Sequence, residues 1–123
     1  MGANEPLLVI QRLRQTITKG RYGIDYTIIP RDKNNLLREK YIVDDRKVRE
    51  ILNSLNPEDY ISSEKSINEE FENDIVHIFI KTVDLIKRYA GIEYTKVKLY
   101  IKLSWTKNGN VKMFIISFHE AEE

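Results

Sequence analysis

The sequence predicts an α+β domain in which helices pack on one face of a small, mostly antiparallel sheet. Helical patterns dominate the first half of the chain and strand patterns dominate the second. Residues 96–120 have the pattern of a β-hairpin, because Asn108-Gly109 favours a two-residue type I′ turn between two apolar segments. A chain of 123 residues suffices for one hydrophobic core, so we interpret residues 1–123 as a single domain.

The N-terminal part predicts one helix and one short strand. Residues 5–19 have an amphipathic helical pattern that follows Asn4, a capping residue, and ends before Gly20. Its apolar stripe consists of Ile10, Leu13 and Ile17. Residues 24–29 are rich in β-branched and aromatic side chains and stop at Pro30, which predicts a short edge strand.

Two further helices are predicted between Pro30 and Pro57. Residues 31–41 form the shorter helix. The other begins at Asp44, whose side chain suits an N-cap, and ends at Asn56-Pro57, because the residue before a proline avoids helical geometry. Its apolar stripe has the i, i+3, i+4, i+7 spacing of a helix face and consists of Val48, Ile51, Leu52 and Leu55.

The segment that leads to the hairpin predicts a loop, a strand and a helix. Residues 59–73 are polar and acidic, so we interpret them as a loop. Residues 75–81 contain an apolar run that indicates a central strand buried on both faces. Residues 82–91 have the pattern of a short helix that ends at Gly91.

The predicted turn at Asn108-Gly109 determines which hairpin residues face each other. One face is then apolar and contains the pairs Leu99–Phe118, Ile101–Ile116 and Leu103–Phe114. The opposite face is mostly polar and contains the pairs Lys98–His119, Tyr100–Ser117, Lys102–Ile115 and Ser104–Met113. Because side chains alternate along a strand, a slip of one residue would mix the two faces. Trp105, near the predicted turn, can serve as a packing residue or as a platform for base stacking, and we favour packing.

The composition restricts the classes of function. The chain has 20 Lys and Arg against 19 Asp and Glu, so a nucleic-acid role requires the basic residues to gather on one face. With no cysteine, two histidines and no phosphate-loop or nucleophile-elbow motif, we expect no metal and no cofactor. No segment approaches the roughly 18 apolar residues of a membrane span, and no secretory signal is visible, so we expect a cytoplasmic protein without membrane contact.

The polar face of the hairpin contains residue types that can cleave RNA without a metal. The 2′-hydroxyl of RNA attacks the adjacent phosphate when a base takes its proton, an acid protonates the leaving 5′ oxygen and cations stabilise the added charge. Histidine suits proton transfer because its ordinary pKa lies near neutral pH, which makes His119 the candidate for that step. Tyr100 can orient or protonate the phosphate. Lys98 and Lys102 can stabilise the transition state.

Each of these residues also has an ordinary structural interpretation. A histidine at a strand end is often simply exposed, lysines on a sheet often face solvent, and a tyrosine in a strand is often half-buried against its neighbours.

Four stretches, in their order along the chain, resemble the MqsR-type toxins. They are Arg31–Asn34, Ile51–Tyr60, Tyr100–Leu103 and Ile116–Glu122. That family consists of ribonuclease toxins of bacterial toxin–antitoxin pairs with a RelE-like fold. The resemblance therefore implies a RelE-like fold, cleavage of mRNA, and a cognate antitoxin protein with a helix-turn-helix domain.

The resemblance also implies roles for individual residues. Tyr100 and His119 match positions at which the family places catalytic residues. The lysine that the family carries ahead of its central strand has no direct counterpart, and Lys65 is the nearest lysine. The polar residue of the family's central strand falls near His77.

The favoured hypothesis is a metal-independent endoribonuclease toxin that its antitoxin holds inactive. In this hypothesis Arg21, Arg31 and Lys33 hold the RNA backbone, and Lys65 and His77 are further candidates for RNA binding. The first alternative is a non-catalytic RNA- or protein-binding module, such as a toxin that has lost its activity. The second is a small interaction domain whose basic face meets an acidic protein.

Overall fold

The computed structural model describes residues 5–19, 26–65, 75–89, 92–105 and 113–121. The helices in this part of the chain are α1 (Glu5–Lys19), α2 (Asp32–Lys40) and α3 (Asp45–Asn53), and a 3₁₀ turn spans Pro57–Asp59. The strands are β1 (Tyr26–Ile28), β2 (Tyr60–Lys65), β3 (Ile75–Ile86), β4 (Tyr94–Trp105) and β5 (Met113–Glu120).

The strands form one sheet in the order β1-β5-β4-β3-β2. β1 runs parallel to β5, and all other neighbours in the sheet are antiparallel. The predicted α+β class is therefore confirmed, and the sheet is mostly antiparallel as expected. β1 lies at one edge of the sheet, which is the place predicted for the strand within residues 24–29.

Helix α3 begins where the sequence predicts. The Lys47 backbone N–H donates a hydrogen bond of 2.8 Å to Oδ1 of Asp44, which satisfies one of the N–H groups that have no partner within the helix. Helix α1 also forms over the predicted residues, and both helices bury their apolar stripes. The buried residues of the two stripes include Ile10, Leu13, Val48, Ile51 and Leu52.

The main hydrophobic core lies between the helices and one face of the sheet. All three helices contribute to it, α2 through Leu37. From β4 the core takes every second residue, namely Val97, Leu99, Ile101, Leu103 and Trp105. This alternation is typical of a strand with one face against a core. A smaller, separate cluster contains Val76 and Ile116, with Ile29 and Phe114 packed against it.

The loop predicted over residues 59–73 is wrong at its N-terminal end, and residues 66–73 lie outside the described part of the chain. Residues Tyr60–Lys65 form β2, which pairs with β3 at the edge of the sheet. The sequence of β2 is mostly polar, so hydropathy does not mark it as a strand. It is a strand because β3 supplies its backbone partners, and a polar, charged sequence is common at an edge that has to resist further pairing.

The helix predicted over residues 82–91 is also wrong, because β3 continues through Ile86. The last five residues of β3 pair with the first five residues of β4. Leu85 belongs to the main core and Val83 packs against it. The helical interpretation missed this alternation of apolar residues at every second position, which is typical of a strand. Long-range pairing with β4 outweighs the local helical preference of these residues.

The hairpin register differs from the predicted one, and Asn108-Gly109 lie outside the described residues. Trp105 pairs with Met113, which is one residue away from the predicted alignment. An irregularity between Lys102 and Leu103 leaves Ile116 of β5 as an extra residue and shifts the register by one more. The observed pairs include Leu99–Glu120, Tyr100–His119, Ile101–Phe118, Lys102–Ser117, Leu103–Ile115 and Ser104–Phe114.

The two shifts have different consequences for the predicted faces. Beyond the bulge the total shift is two residues, so Tyr100 and His119 keep a common face. Between the bulge and the Trp105–Met113 pair the shift is a single residue, so Ile115 lies in the main core and Ile116 in the smaller cluster. For these two isoleucines the prediction was the reverse, and it is wrong because a register shift of one residue exchanges the two faces of a strand.

Replacing Leu13 with alanine should lower the free energy of unfolding by about 2–5 kcal/mol, because the substitution leaves a cavity at a fully buried position. Leu8→Ala on the same helix is the matched control. Leu8 is 61% exposed, so its loss should change the free energy of unfolding by less than about 0.5 kcal/mol. Urea unfolding followed by circular dichroism measures both values, and equal losses would contradict the orientation of α1.

Candidate functional site

Tyr100 and His119 lie directly opposite each other on β4 and β5. Their ring centroids are 5.4 Å apart and their planes are inclined by 23°, so the two rings are stacked. Both side chains are half-buried. The predicted common face is therefore confirmed, although each residue has a different cross-strand neighbour from the one predicted. The strand pairing thus fixes the relative positions of a phenol and an imidazole, two groups that can transfer protons.

The hydrogen bond of the His119 ring determines which of its nitrogens is available. Nδ1 of His119 lies 2.8 Å from the backbone carbonyl oxygen of Glu120. A carbonyl oxygen only accepts hydrogen bonds, so Nδ1 carries a proton and donates it. Nε2 is then the nitrogen that can take up or release a proton in a reaction.

An open cavity of about 450 Å³, which we call the groove, adjoins the stacked rings. Its lining residues are Arg31, Lys33, Tyr100, Ser117 and His119. Arg31 directly precedes α2 and Lys33 lies in the first turn of that helix. The groove thus joins two residues predicted to bind RNA with two predicted to be catalytic, although the sequence separates the two sets by more than 60 residues.

The buried side chain of Asn34 holds α2 against the edge of β5. β1 pairs with only the first three residues of β5, so the backbone beyond them needs other partners. Nδ2 of Asn34 donates to the carbonyl oxygens of Ile29 (2.9 Å) and Ile116 (3.1 Å), and Oδ1 accepts from the Phe118 N–H (2.8 Å). The sequence analysis missed this residue. Its signal is an asparagine on the inward side of a helix, where it is a poor helix former unless its amide has partners.

A second contact joins the end of α2 to the end of β5. The Lys40 ammonium lies 3.1 Å from Oε1 of Glu120, and the hydrogen bond to this carboxylate raises the pKa of Lys40. Burial, followed by the negative charge of Glu120, raises the pKa of Tyr41. A hollow of about 230 Å³ lies between these elements and is also lined by His119. Glu120 therefore contributes to the site twice, through its carboxylate to α2 and through its carbonyl to His119.

The two lysines predicted to stabilise a transition state have different surroundings. Lys102 lies on the same face as Tyr100, with its ammonium 5.9 Å from the centre of the tyrosine ring. That ammonium also forms a 3.1 Å ion pair with Glu64 of β2, so its charge is compensated. Lys98 is exposed, and within the described part of the chain no carboxylate pairs with it.

His77 lies on the opposite face of the sheet, next to the main core. Its Nδ1 shares a 2.9 Å hydrogen bond with the Tyr60 hydroxyl, and its ring centroid is 6.0 Å from that of Trp105. Burial lowers the pKa of His77, with Glu5 and Arg12 acting in opposite directions. The structure therefore does not bring His77 to the groove.

The packing role predicted for Trp105 is confirmed. Its ring is buried in the main core, and its Nε1 donates a 3.1 Å hydrogen bond to the Thr16 hydroxyl. The Arg12 guanidinium lies 4.6 Å from the ring centroid, which is a cation–π distance.

For the remaining two predicted RNA-binding residues, the structure gives only the backbone position of Lys65. Lys65 is the last residue of β2, and its backbone pairs with Ile75. Two strands separate β2 from β5, so the two backbones are about 14 Å apart at the usual strand spacing. Arg21 lies outside the described residues.

Among the described residues, no group of three or more His, Asp or Glu side chains is placed to bind a metal ion. Within the same part of the chain, each helix is too short or too polar to cross a bilayer. Comparison with protein-family models, curated proteins and solved structures returned no match for this chain.

The half-buried position of His77 should make the fold sensitive to mild acid. Because the pKa of His77 is lowered in the folded state, the unfolded state takes up this proton first as the pH falls below its ordinary value of 6.5. The contribution of neutral His77 is therefore complete above that value and is lost at lower pH. Wild type should lose more free energy of unfolding between about pH 7.5 and pH 5.5 than His77→Gln.

Urea unfolding of both proteins at the two pH values measures this difference, and all other titrating groups are common to both. An equal loss in wild type and His77→Gln would show that His77 is not held neutral by burial.

Proposed function

We propose that this protein is a metal-independent endoribonuclease of the RelE-like type and the toxin of a type II toxin–antitoxin pair. The observation that carries the proposal is the groove, in which Arg31 and Lys33 of the α2 end meet the stacked Tyr100 and His119. Cations for a phosphate backbone and a histidine for proton transfer are the groups that RNA cleavage through the 2′-hydroxyl requires.

In the proposed reaction the 2′-oxygen of one nucleotide attacks its own 3′-phosphorus. Nε2 of His119 takes the 2′-hydroxyl proton. This nitrogen is free to accept it because Nδ1 carries the proton that is donated to the Glu120 carbonyl. The bond from phosphorus to the 5′ oxygen of the next nucleotide breaks, and this oxygen takes up a proton. The products are a 2′,3′-cyclic phosphate and a free 5′-hydroxyl, so no water and no redox partner enter the cleavage step.

The other groups act on the phosphate. Tyr100 can orient it or supply the proton for the leaving oxygen, because its ring is held against that of His119. Lys98 is exposed on the same face and can stabilise the additional charge of the pentavalent state. Lys102 has a smaller part in the proposal, since Glu64 already balances its charge.

The proposal includes a protein partner. A groove with a cationic rim is a surface that an acidic segment of an antitoxin can cover, and a cover of this kind would keep RNA from the stacked rings. We expect that antitoxin to carry a helix-turn-helix domain and to act in the cytoplasm together with the toxin.

Purified protein should cleave single-stranded RNA in the presence of EDTA, and His119→Ala should reduce the rate by about 10²–10⁴-fold because it removes the proton-transfer group. Tyr100→Phe should also reduce the rate, since it removes only the phenolic oxygen. Tyr94→Phe is the matched control, because Tyr94 lies on the same strand and is mostly exposed. Gel analysis of a labelled RNA measures the rates.

Growth of cells that express the gene gives a second readout. Toxicity that His119→Ala abolishes and the neighbouring gene relieves would support the toxin. Toxicity that persists unchanged in His119→Ala and Tyr100→Phe would reject the site.

Arg31→Ala should weaken RNA binding and make it less dependent on salt. If Arg31 contacts one phosphate, the slope of log K against log salt should become less steep by about 0.7, the value for one contact with a single strand. Arg46→Ala is the control, because Arg46 is also exposed but lies in the first turn of α3. Fluorescence anisotropy with a 2′-O-methyl RNA, which cannot be cleaved, measures the slope. An unchanged slope would remove Arg31 from the proposed interface.

The Lys102–Glu64 ion pair favours one alternative, a non-catalytic RNA-binding module. It neutralises one of the cations that a transition state would use. Binding of RNA by wild type without cleavage at any pH from about 5 to 9, the range over which a histidine changes its charge, would favour this alternative.

A further inference from the structure

Ser117 has a buried hydroxyl that no other described residue binds. Its side chain is only 4% exposed, and it lines the groove between the cations of α2 and the stacked rings. The two other buried polar side chains of the described chain are satisfied: Asn34 makes three hydrogen bonds, and Ser104 donates to the carbonyl of Ile75 at 2.9 Å. For the hydroxyl of Ser117 there is no corresponding partner within the described residues.

A buried hydroxyl without a partner is unfavourable, and native proteins rarely keep one without a reason. An alanine would fill nearly the same volume at this position without that cost. The hydroxyl of Ser117 therefore does not stabilise the fold through a hydrogen bond to another described residue. Ser117 lines the groove, so we expect the hydrogen-bond partner of its hydroxyl among the molecules that enter the groove.

The backbone on both sides of Ser117 is held in place. Asn34 binds the carbonyl of Ile116 and the N–H of Phe118, the groups that flank Ser117 on the outer edge of β5. On the inner edge, Ser117 pairs with Lys102 of β4. The bulge at Ile116 immediately precedes this position, and bulges commonly re-aim the side chains next to a site. The hydroxyl is thus presented from a rigid support, as a preorganised binding group requires.

The neighbouring residues indicate the chemistry of the ligand. A hydroxyl donor beside the guanidinium of Arg31 and the ammonium of Lys33 suits an anion that offers several acceptor oxygens, as a phosphate does. Ser117 and His119 are two residues apart on one strand, hence about 7 Å apart along it. We expect one phosphodiester group to fit over this distance, with the 2′-hydroxyl of its nucleotide toward His119.

We propose that Ser117 donates a hydrogen bond to a non-bridging oxygen of the scissile phosphate and forms a phosphate subsite with Arg31 and Lys33. This inference rests on the proposed ribonuclease function and specifies a part of it. The charge on the non-bridging oxygens increases as the 2′-oxygen attacks, so the hydrogen bond strengthens in the transition state. Its loss should therefore lower kcat more than it raises KM.

The test compares wild type, Ser117→Ala and Ser104→Ala in RNA cleavage and in thermal unfolding. Ser117→Ala should reduce kcat by about 10²-fold, the usual effect of losing one donor to a developing oxyanion, and should leave the melting temperature unchanged or higher. Ser104→Ala, the matched buried serine outside the groove lining, should keep its activity and melt at a lower temperature because it loses a hydrogen bond to the backbone.

The outcomes separate this inference from the proposed function. If wild type cleaves RNA and Ser117→Ala cleaves it equally well, the subsite is wrong while the function stands. If Ser117→Ala melts at a lower temperature, Ser117 has a structural role and the inference is overturned.

If wild type cleaves no RNA, the proposed ribonuclease function is rejected. Binding of a 2′-O-methyl oligonucleotide then tests the phosphate subsite by itself. Binding that Ser117→Ala weakens and Ser104→Ala does not would retain the subsite. Equal binding by all three proteins would overturn it.

Discussion

The three hydrogen bonds of Asn34 are the interaction on which the site depends. A sheet edge has unpaired backbone groups, and β1 is too short to pair with the C-terminal half of β5. The amide of Asn34 takes the place of the missing strand, since it offers a donor to Ile116 and an acceptor to Phe118. Because Asn34 belongs to α2, satisfying this edge also brings Arg31 and Lys33 to the groove. The buried side chain of Asn34 thus both satisfies the backbone of the sheet edge and positions the two groove cations, Arg31 and Lys33.

The bulge in β5 is the second constraint, and it determines which rings meet. In a hairpin with the predicted register, Tyr100 would lie opposite Ser117 and His119 opposite Lys98. The extra residue at Ile116, added to the one-residue change at the Trp105–Met113 pair, moves His119 opposite Tyr100 and Ser117 opposite Lys102. The stacking of Tyr100 on His119 and the position of Ser117 opposite Lys102 both follow from this register. Irregular pairing next to a site is a common way to place side chains that a regular ladder would separate.

Charge is arranged locally in a protein whose total charge is only +1. Two lysines near the groove are balanced by acids, Lys102 by Glu64 and Lys40 by Glu120. The Lys40 pair connects α2 to β5, and the Lys102 pair connects β4 to the edge strand β2. Both are exposed enough to add little to stability, so their effect is mainly on position and on the local field. The side chains that line the groove itself include two cations and no carboxylate.

The sequence by itself determined the α+β class, the extent of α1, the start of α3 with its Asp44 cap, and the common face of Tyr100 and His119, whereas α3 ends at Asn53, before the predicted Asn56-Pro57. These features follow from local signals, namely helical periodicity, a capping side chain and strand alternation. The common face was predicted from the wrong register. The prediction is nevertheless correct, because a register shift of two residues leaves each side chain on the same face of the sheet. Only the tertiary structure decided that residues 60–65 form an edge strand, that β3 continues past residue 81, and that Asn34 and Ser117 belong to the site. Strand pairing and the binding of a sheet edge join residues that are far apart in sequence, so their partners are fixed only when the chain is folded.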